Sequence, residues 1–237
     1  SIPIGVTVEG SNTLTRSLII FAQGLNKSHP HIFPILESIL NDDLKSFKTN
    51  FNEIVKHSLN LYFRCIDKNK SLEQEIVRYA ALTNFVALKA GALKKEQMLA
   101  GDMADIFSNL YLAISVRYYQ NIYKSSLDFS DYVIERLLNE NRIKMKRVVD
   151  NLGYEKYLLK PLLVEPTTIT YETERKMFNE IINNKNIINE LEKNIYIKND
   201  SVLNDLKQYT ELQEQGIELF DEDLYNSIIK VGEYENK

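Results

Sequence analysis

An all-α fold is predicted for this 237-residue chain, and three observations predict it. Between Asp43 and Ile195 apolar residues recur at steps of three and four, the spacing that lines one face of a helix. Breakers part these runs: His29-Pro30, the polar stretch Asp67 to Ser71, Ser126 to Ser130, Gly153, and the pair Pro161 and Pro166. Strand-like alternation is confined to the start, where Ile2, Ile4, Val6 and Val8 alternate with small or polar residues and Pro3 and Gly5 limit the segment. The expected architecture is a multi-helix bundle preceded by a short extended loop segment.

The first helix is expected from about Asn12 to Asn26. Gly10 permits a positive-φ turn, and Ser11 and Asn12 are good N-caps. The middle of this helix, Leu18 to Ala22, is apolar nearly all round, as suits a helix inside a larger assembly. After His29-Pro30 a short helix over about 31–40 tolerates Pro34 in its first turn. From Asp43 to Asp67, Leu44, Phe47, Phe51, Ile54, Ser58, Leu61 and Cys65 form one amphipathic face. Ser71 is the expected N-cap of the next helix, which should bury Leu72, Ile76, Tyr79, Thr83, Val86, Ala90 and Leu93.

A further helix carries one stripe of Leu99, Met103, Ile106, Leu110, Ala113 and Val116. A second stripe runs through Phe107, Tyr111, Ile114 and Tyr118, so this helix is expected to be central and covered on more than one side. Gly101 should weaken its first turns by ~1 kcal/mol relative to alanine. Another helix is expected from Asp131 to Asn151, ending at Gly153. Leu162-Leu163-Val164, between two prolines, should be extended or irregular. A helix from about Glu172 to Asn194 follows. The polar remainder from 198 holds one short helix at about 221–231.

Composition narrows the function. A net charge of −4 gives no basic surface for nucleic acid. The single cysteine, Cys65, allows no internal disulfide and fits a reducing compartment. No apolar run approaches the ~20 residues a transmembrane helix needs, and a start at Ser1 rather than Met fits a fragment or a trimmed product. His29-x-His31 has no acid or cysteine pair beside it, so no metal site is expected. His57 and Cys65 read as packing residues. Gly5 and Gly10 lack the Lys-Ser/Thr of a phosphate-binding loop, and no Gly-x-Ser-x-Gly elbow exists.

One block stands out at the loop-to-helix junction: Val8-Glu9-Gly10-Ser11-Asn12-x-Leu14-Thr15-Arg16. An acid there ordinarily compensates the helix dipole. The block, however, resembles the Glu-Gly-Thr-x-x-Ile-x-Arg signature that carries the catalytic base in FAD-dependent acyl-CoA dehydrogenases. It is most similar to the large bacterial members of fatty-acid β-oxidation with an added C-terminal helical region. His29-Pro30, Gly91-x-Leu93-Lys94-Lys95, and Asp105-Ile106-x-Ser108-x-Leu110-Tyr111-Leu112-Ala113 continue the likeness in the same order. It covers residues 1–125 well and the rest loosely.

The resemblance implies that Glu9 removes the α-proton of a fatty acyl-CoA while the β-hydride passes to flavin, giving a trans-2-enoyl-CoA. Gly10 would let the backbone approach substrate. Ser11, Asn12 and Thr13 match positions that contact FAD in the family, Ser11 standing where a threonine is common. Arg16 is expected to tie its helix to a neighbouring carboxylate, without a catalytic role. Family members carry a basic residue where this chain has Asp102, which sets aside any anion contact from that position. Lys94-Lys95 read as a solvated pair, and the Asp105 to Ala113 block as helix packing.

The implied division is residues 1–40 as the end of the catalytic helical domain and 41–237 as the appended domain, the chain alone being inactive. Implied partners are the acyl-CoA, an electron-transfer flavoprotein and a second copy of the chain, and the implied location is the cytoplasm or the periphery of the inner membrane. The alternative is a stand-alone helical interaction module that retains a degenerate family sequence.

Overall fold

In the computed structural model the described residues are 12, 15, 16, 24, 27, 29–87, 95–123, 127–193, 195, 196, 203, 204, 206, 207, 210 and 211. The regular elements among them are all helical: α1 (Ile32–Leu40), α2 (Leu44–Arg64), α3 (Leu72–Ala87), α4 (Gln97–Tyr123), α5 (Leu127–Asp150), the short α6 (Lys156–Leu159) with a 3-10 turn at Lys160–Leu162, α7 (Tyr171–Asn183) and α8 (Lys185–Glu192). Asn12, Arg16, Gly24 and Lys27 also have helical backbone, in line with the expected first helix. Residues 1–8, and the expected helix at 221–231, lie outside the described residues.

The helix boundaries follow local chemistry. Asp42 takes a positive φ of 51° after α1, a conformation a short polar side chain tolerates. Asp43 then caps α2, accepting from the amides of Lys45 at 3.1 Å and Ser46 at 3.0 Å and from the Ser46 hydroxyl. Ser71 caps α3 as expected, its Oγ accepting from the Gln74 amide at 3.3 Å. The single helix expected from Glu172 to Asn194 is two. Asn184 breaks it because its side chain accepts from the Asn186 amide at 3.2 Å, offering the backbone an alternative to the helix ladder. Helix α5 begins earlier than expected, at Leu127.

The chain divides into two units, residues 1–180 and 181–237. In the first, α4 and α5 form an antiparallel pair whose rungs descend in opposite directions along the two helices: Asp102 with Arg147, Asp105 with Lys144, Asn109 with Glu140 and Asn141, Arg117 with Asp131. The core lies between α3, α4, α5 and the end of α2, built on Cys65, Val86, Met103, Ile106, Leu138, Val148 and Val149. Leu159 and Leu162 close one side.

Two expectations about faces change. The first stripe of α4 is buried through Ala113, but Phe107, Tyr111, Ile114 and Tyr118 are 45–67% exposed. Among the described residues this stripe has little cover, because α3 and α5 pack on the other one. On α2 the inward face is buried at Leu61 and Cys65, while Leu44 and Phe51 stand exposed. In the second unit, Ile187 is buried on α8 and Lys207 pairs with Glu192 at 2.9 Å.

Candidate functional site

Glu9, Gly10, Ser11 and Thr13 lie outside the described residues. Asn12 is helical and exposed. The described geometry of the candidate site therefore begins at Arg16, seven positions after Glu9.

Arg16 reaches across to α4, where both oxygens of Asp105 receive it: Nε donates to Oδ1, and Nη2 donates to Oδ2 at 2.8 Å. The same carboxylate takes a second cation from α5, Lys144 Nζ at 2.9 Å. Burial alone would raise the Asp105 carboxyl, but the hydrogen bonds from Arg16 and Lys144 outweigh it and hold its pKa below the usual range. The bond to Asp105 pushes the Arg16 guanidinium upward in turn. One turn before, Asp102 has a side chain only 7% exposed and grips Arg147 of α5 through both its oxygens. Two acids on α4 and two bases on α5 thus make a charged ladder, and Arg16 is its fifth member.

Gly101 explains how Arg16 gets there. A Cβ on that glycine would sit 3.2 Å from the guanidinium carbon of Arg16, closer than side chains ordinarily pack. The glycine that costs α4 helix propensity is the floor under the arginine. Arg16 meets the expectation of a carboxylate partner. Asp105, read from sequence as part of a packing block, is that partner, while Ile106, Leu110 and Ala113 of the block do pack.

A family model described as "Acyl-CoA dehydrogenase, C-terminal, bacterial type" matches residues 26–221. The chain belongs to that family. No solved structure matches it. The matched span takes in α1 to α8 and begins after the Glu9 block.

Elsewhere in this acyl-CoA dehydrogenase C-terminal domain, His57 joins His29 and His31, with ring centroids 4.9–6.0 Å apart. His29 Nδ1 accepts from the His31 amide at 3.2 Å, so its Nε2 carries the proton and donates to Asn84 Oδ1 of α3 at 2.6 Å. Desolvation lowers the pKa of His29 and of His57. Among the described residues no group of three His, Cys, Asp or Glu is arranged to hold a metal ion. Cys65 is fully buried, and desolvation pushes its thiol up to about 11.

Sequence reasoning missed the buried ionic cluster. Glu75 of α3 is fully buried, with Oε1 accepting from Arg142 Nε of α5 at 2.7 Å and standing 3.1 Å from Arg78 Nη1. Arg142 also donates to Glu135 at 2.6 Å and to Asn139 at 2.8 Å. Charge signs alone could not place Glu75, one of several acids at a helix start, inside the core. A cavity beside Arg78, lined by Leu82, Met145 and Val149, holds about 20 Å³, room for one water and not for a flavin or an acyl chain.

Proposed function

We propose that the chain is the C-terminal part of an FAD-dependent acyl-CoA dehydrogenase that converts fatty acyl-CoA to trans-2-enoyl-CoA in fatty-acid β-oxidation. One observation carries the reading: the Glu9-Gly10-Ser11-Asn12 block precedes the family span, which begins at residue 26, and Arg16 of the same block is bonded into it. Residues 1–40 would complete the catalytic helical domain, and 41–237 would form the appended one.

Glu9 serves as the base. A carboxylate removes an α-proton effectively when partial desolvation raises its pKa toward that of the carbon acid. Gly10 leaves the backbone free to approach the thioester, and hydrogen bonds to the thioester oxygen stabilise the enolate-like charge that develops as the proton leaves. Bound FAD would accept the hydride. Asn12, exposed on its helix, has the donor chemistry to hold that dinucleotide together with Ser11 and Thr13. The cavity beside Arg78 is too small to admit it. We infer that the chain alone is inactive. Electrons would leave to an electron-transfer flavoprotein. The location we propose is the cytoplasm or the periphery of the inner membrane.

Substituting Glu9→Gln in the full-length protein tests this. Yellow flavin should remain bound, and α-proton exchange from acyl-CoA should fall by ~10²–10⁴, the share a positioned base contributes. Unchanged exchange refutes the assignment. A second reading, an interaction module, draws on the exposed stripe Phe107, Tyr111, Ile114 and Tyr118. The same stripe would serve the enzyme as the face buried against a second copy.

A further inference from the structure

The appended domain needs a purpose, and the charged ladder supplies one. The geometry points to Asp105, with Gly101 and Lys144, as the positioning site for the catalytic base: it fixes Arg16, seven residues after Glu9, against the α4–α5 pair. The inference rests on the reading of Glu9 as base and goes beyond it, giving the added helices a part in the reaction without any contact with substrate.

Four features favour positioning over simple charge balance. The guanidinium meets the carboxylate with two nitrogens on two oxygens, an arrangement that fixes orientation as well as distance. The acceptor is anchored: Lys144 holds Asp105 from α5, so the carboxylate cannot follow Arg16 if the helix shifts. The floor is cut to fit, since any side chain at 101 would displace the guanidinium. The segment is also tied at its other end, where His29 Nε2 donates to Asn84 of α3 at 2.6 Å. Arg16 and His29 are thereby each tied to a core helix, α4 and α3. An exposed ion pair adds little to global stability, but misplacement of a catalytic group by about 1 Å can cost ~10²-fold in rate.

Two arms test this. In the 237-residue chain, hydrogen exchange of peptides covering 12–27 is compared for wild type, Arg16→Ala and Asp105→Asn, with α3 peptides as the internal standard. Faster exchange confined to 12–27 supports docking through the pair; unchanged exchange overturns it whatever the enzyme does. In the full-length enzyme, Asp105→Asn should lower kcat by about 10- to 100-fold with KM within about threefold and flavin content unchanged. Arg16→Lys, which keeps the charge but loses the fork, should resemble Arg16→Ala, and Asp105→Glu should recover most of the rate. Gly101→Ala, which nudges the guanidinium by a few tenths of an ångström, should cost a few-fold. Full activity in Asp105→Asn, or full rescue by Arg16→Lys, overturns the positioning role. Failure of the base assignment shows up separately, as a Glu9→Gln enzyme that still exchanges the α-proton; positioning of a base then falls with it, and the exchange arm alone decides the docking.

Discussion

Two ionic networks share the α4–α5 neighbourhood and do opposite jobs. Around Glu75, Arg142 and Arg78 the side chains are at most 3% exposed. Around Asp105 the partners Arg16 and Lys144 are 45% and 25% exposed. The buried group joins α3 to α5 and, through Arg142 and Arg78, collects the carbonyls of Lys70, Asp67 and Asn69. It is architecture, and its failure is expensive because a charge without its partner in the core has no water to turn to. The half-exposed group joins a separate segment to a finished bundle. Water can replace either partner there, so its loss should move that segment and leave the bundle standing.

The sharpest way to break this contrast is Glu75→Gln. It leaves Arg142 and Arg78 buried against a neutral amide, a loss of roughly 3–5 kcal/mol by analogy with other broken buried pairs. Urea unfolding of the chain should show the midpoint falling with little change in slope. By the same measurement, Asp105→Asn and Arg16→Ala should each cost no more than about 1 kcal/mol. Were the two substitutions to cost the same, the division into core and clamp would be wrong.

Acid separates the two kinds of tie more finely. His29 and His57 have pKa values lowered by burial from their ordinary 6.5. The folded state therefore binds fewer protons than the unfolded chain below that pH. Their contribution is complete above 6.5 and is lost as pH falls through the lower folded-state values. Asp105 is also lowered, from an ordinary 3.8, by Arg16 and Lys144. Its contribution is present above 3.8 and is lost only below it. Between about pH 4 and 6.5 protonation at Nδ1 should cost His29 the bond it accepts from the His31 amide and loosen the packing of the three rings, while the Nε2 donation to Asn84 and Arg16–Asp105 hold. Histidine ring resonances followed by NMR against pH, with His29→Gln removing the early phase of stability loss, would check this.

The helices were legible because their period is carried by side chains that have no alternative partner: Leu61, Cys65, Leu72, Val86, Met103, Ile106 and Leu110 are buried on the stripes the spacing defined. What escaped reading was of two sorts. Glu75, Arg78 and Arg142 break the hydrophobic code, since only the meeting of α3 with α5 supplies the counter-charges that let them be buried. The exposed stripe of α4 obeys the code yet finds no cover among the described residues. For the site, the link between Arg16 and a carboxylate was foreseen, but its identity was not, because 89 residues separate Arg16 from Asp105 and nothing local marks the pairing. Gly101 gave the available signal: a glycine inside a strong helical pattern asks for a neighbour at close range.

Cys65 offers the mildest test, and it reads the core without altering it. The thiol lies on the buried face at the end of α2 and, with its pKa pushed up to about 11, carries almost no thiolate at neutral pH. In the native chain it should resist an aromatic disulfide reagent at pH 8 and react fully once urea unfolds the protein. Under native conditions its slow labelling then reports opening of the core. Labelling should quicken in Glu75→Gln, in step with the lost stability, because the cysteine and the buried network belong to one cooperative unit. It should stay near the wild-type rate in Asp105→Asn, since the half-exposed Arg16–Asp105 pair is no part of the buried network. A cysteine that labels faster in the second variant than in the first would mean that the docked segment, and not the buried ions, keeps the bundle closed.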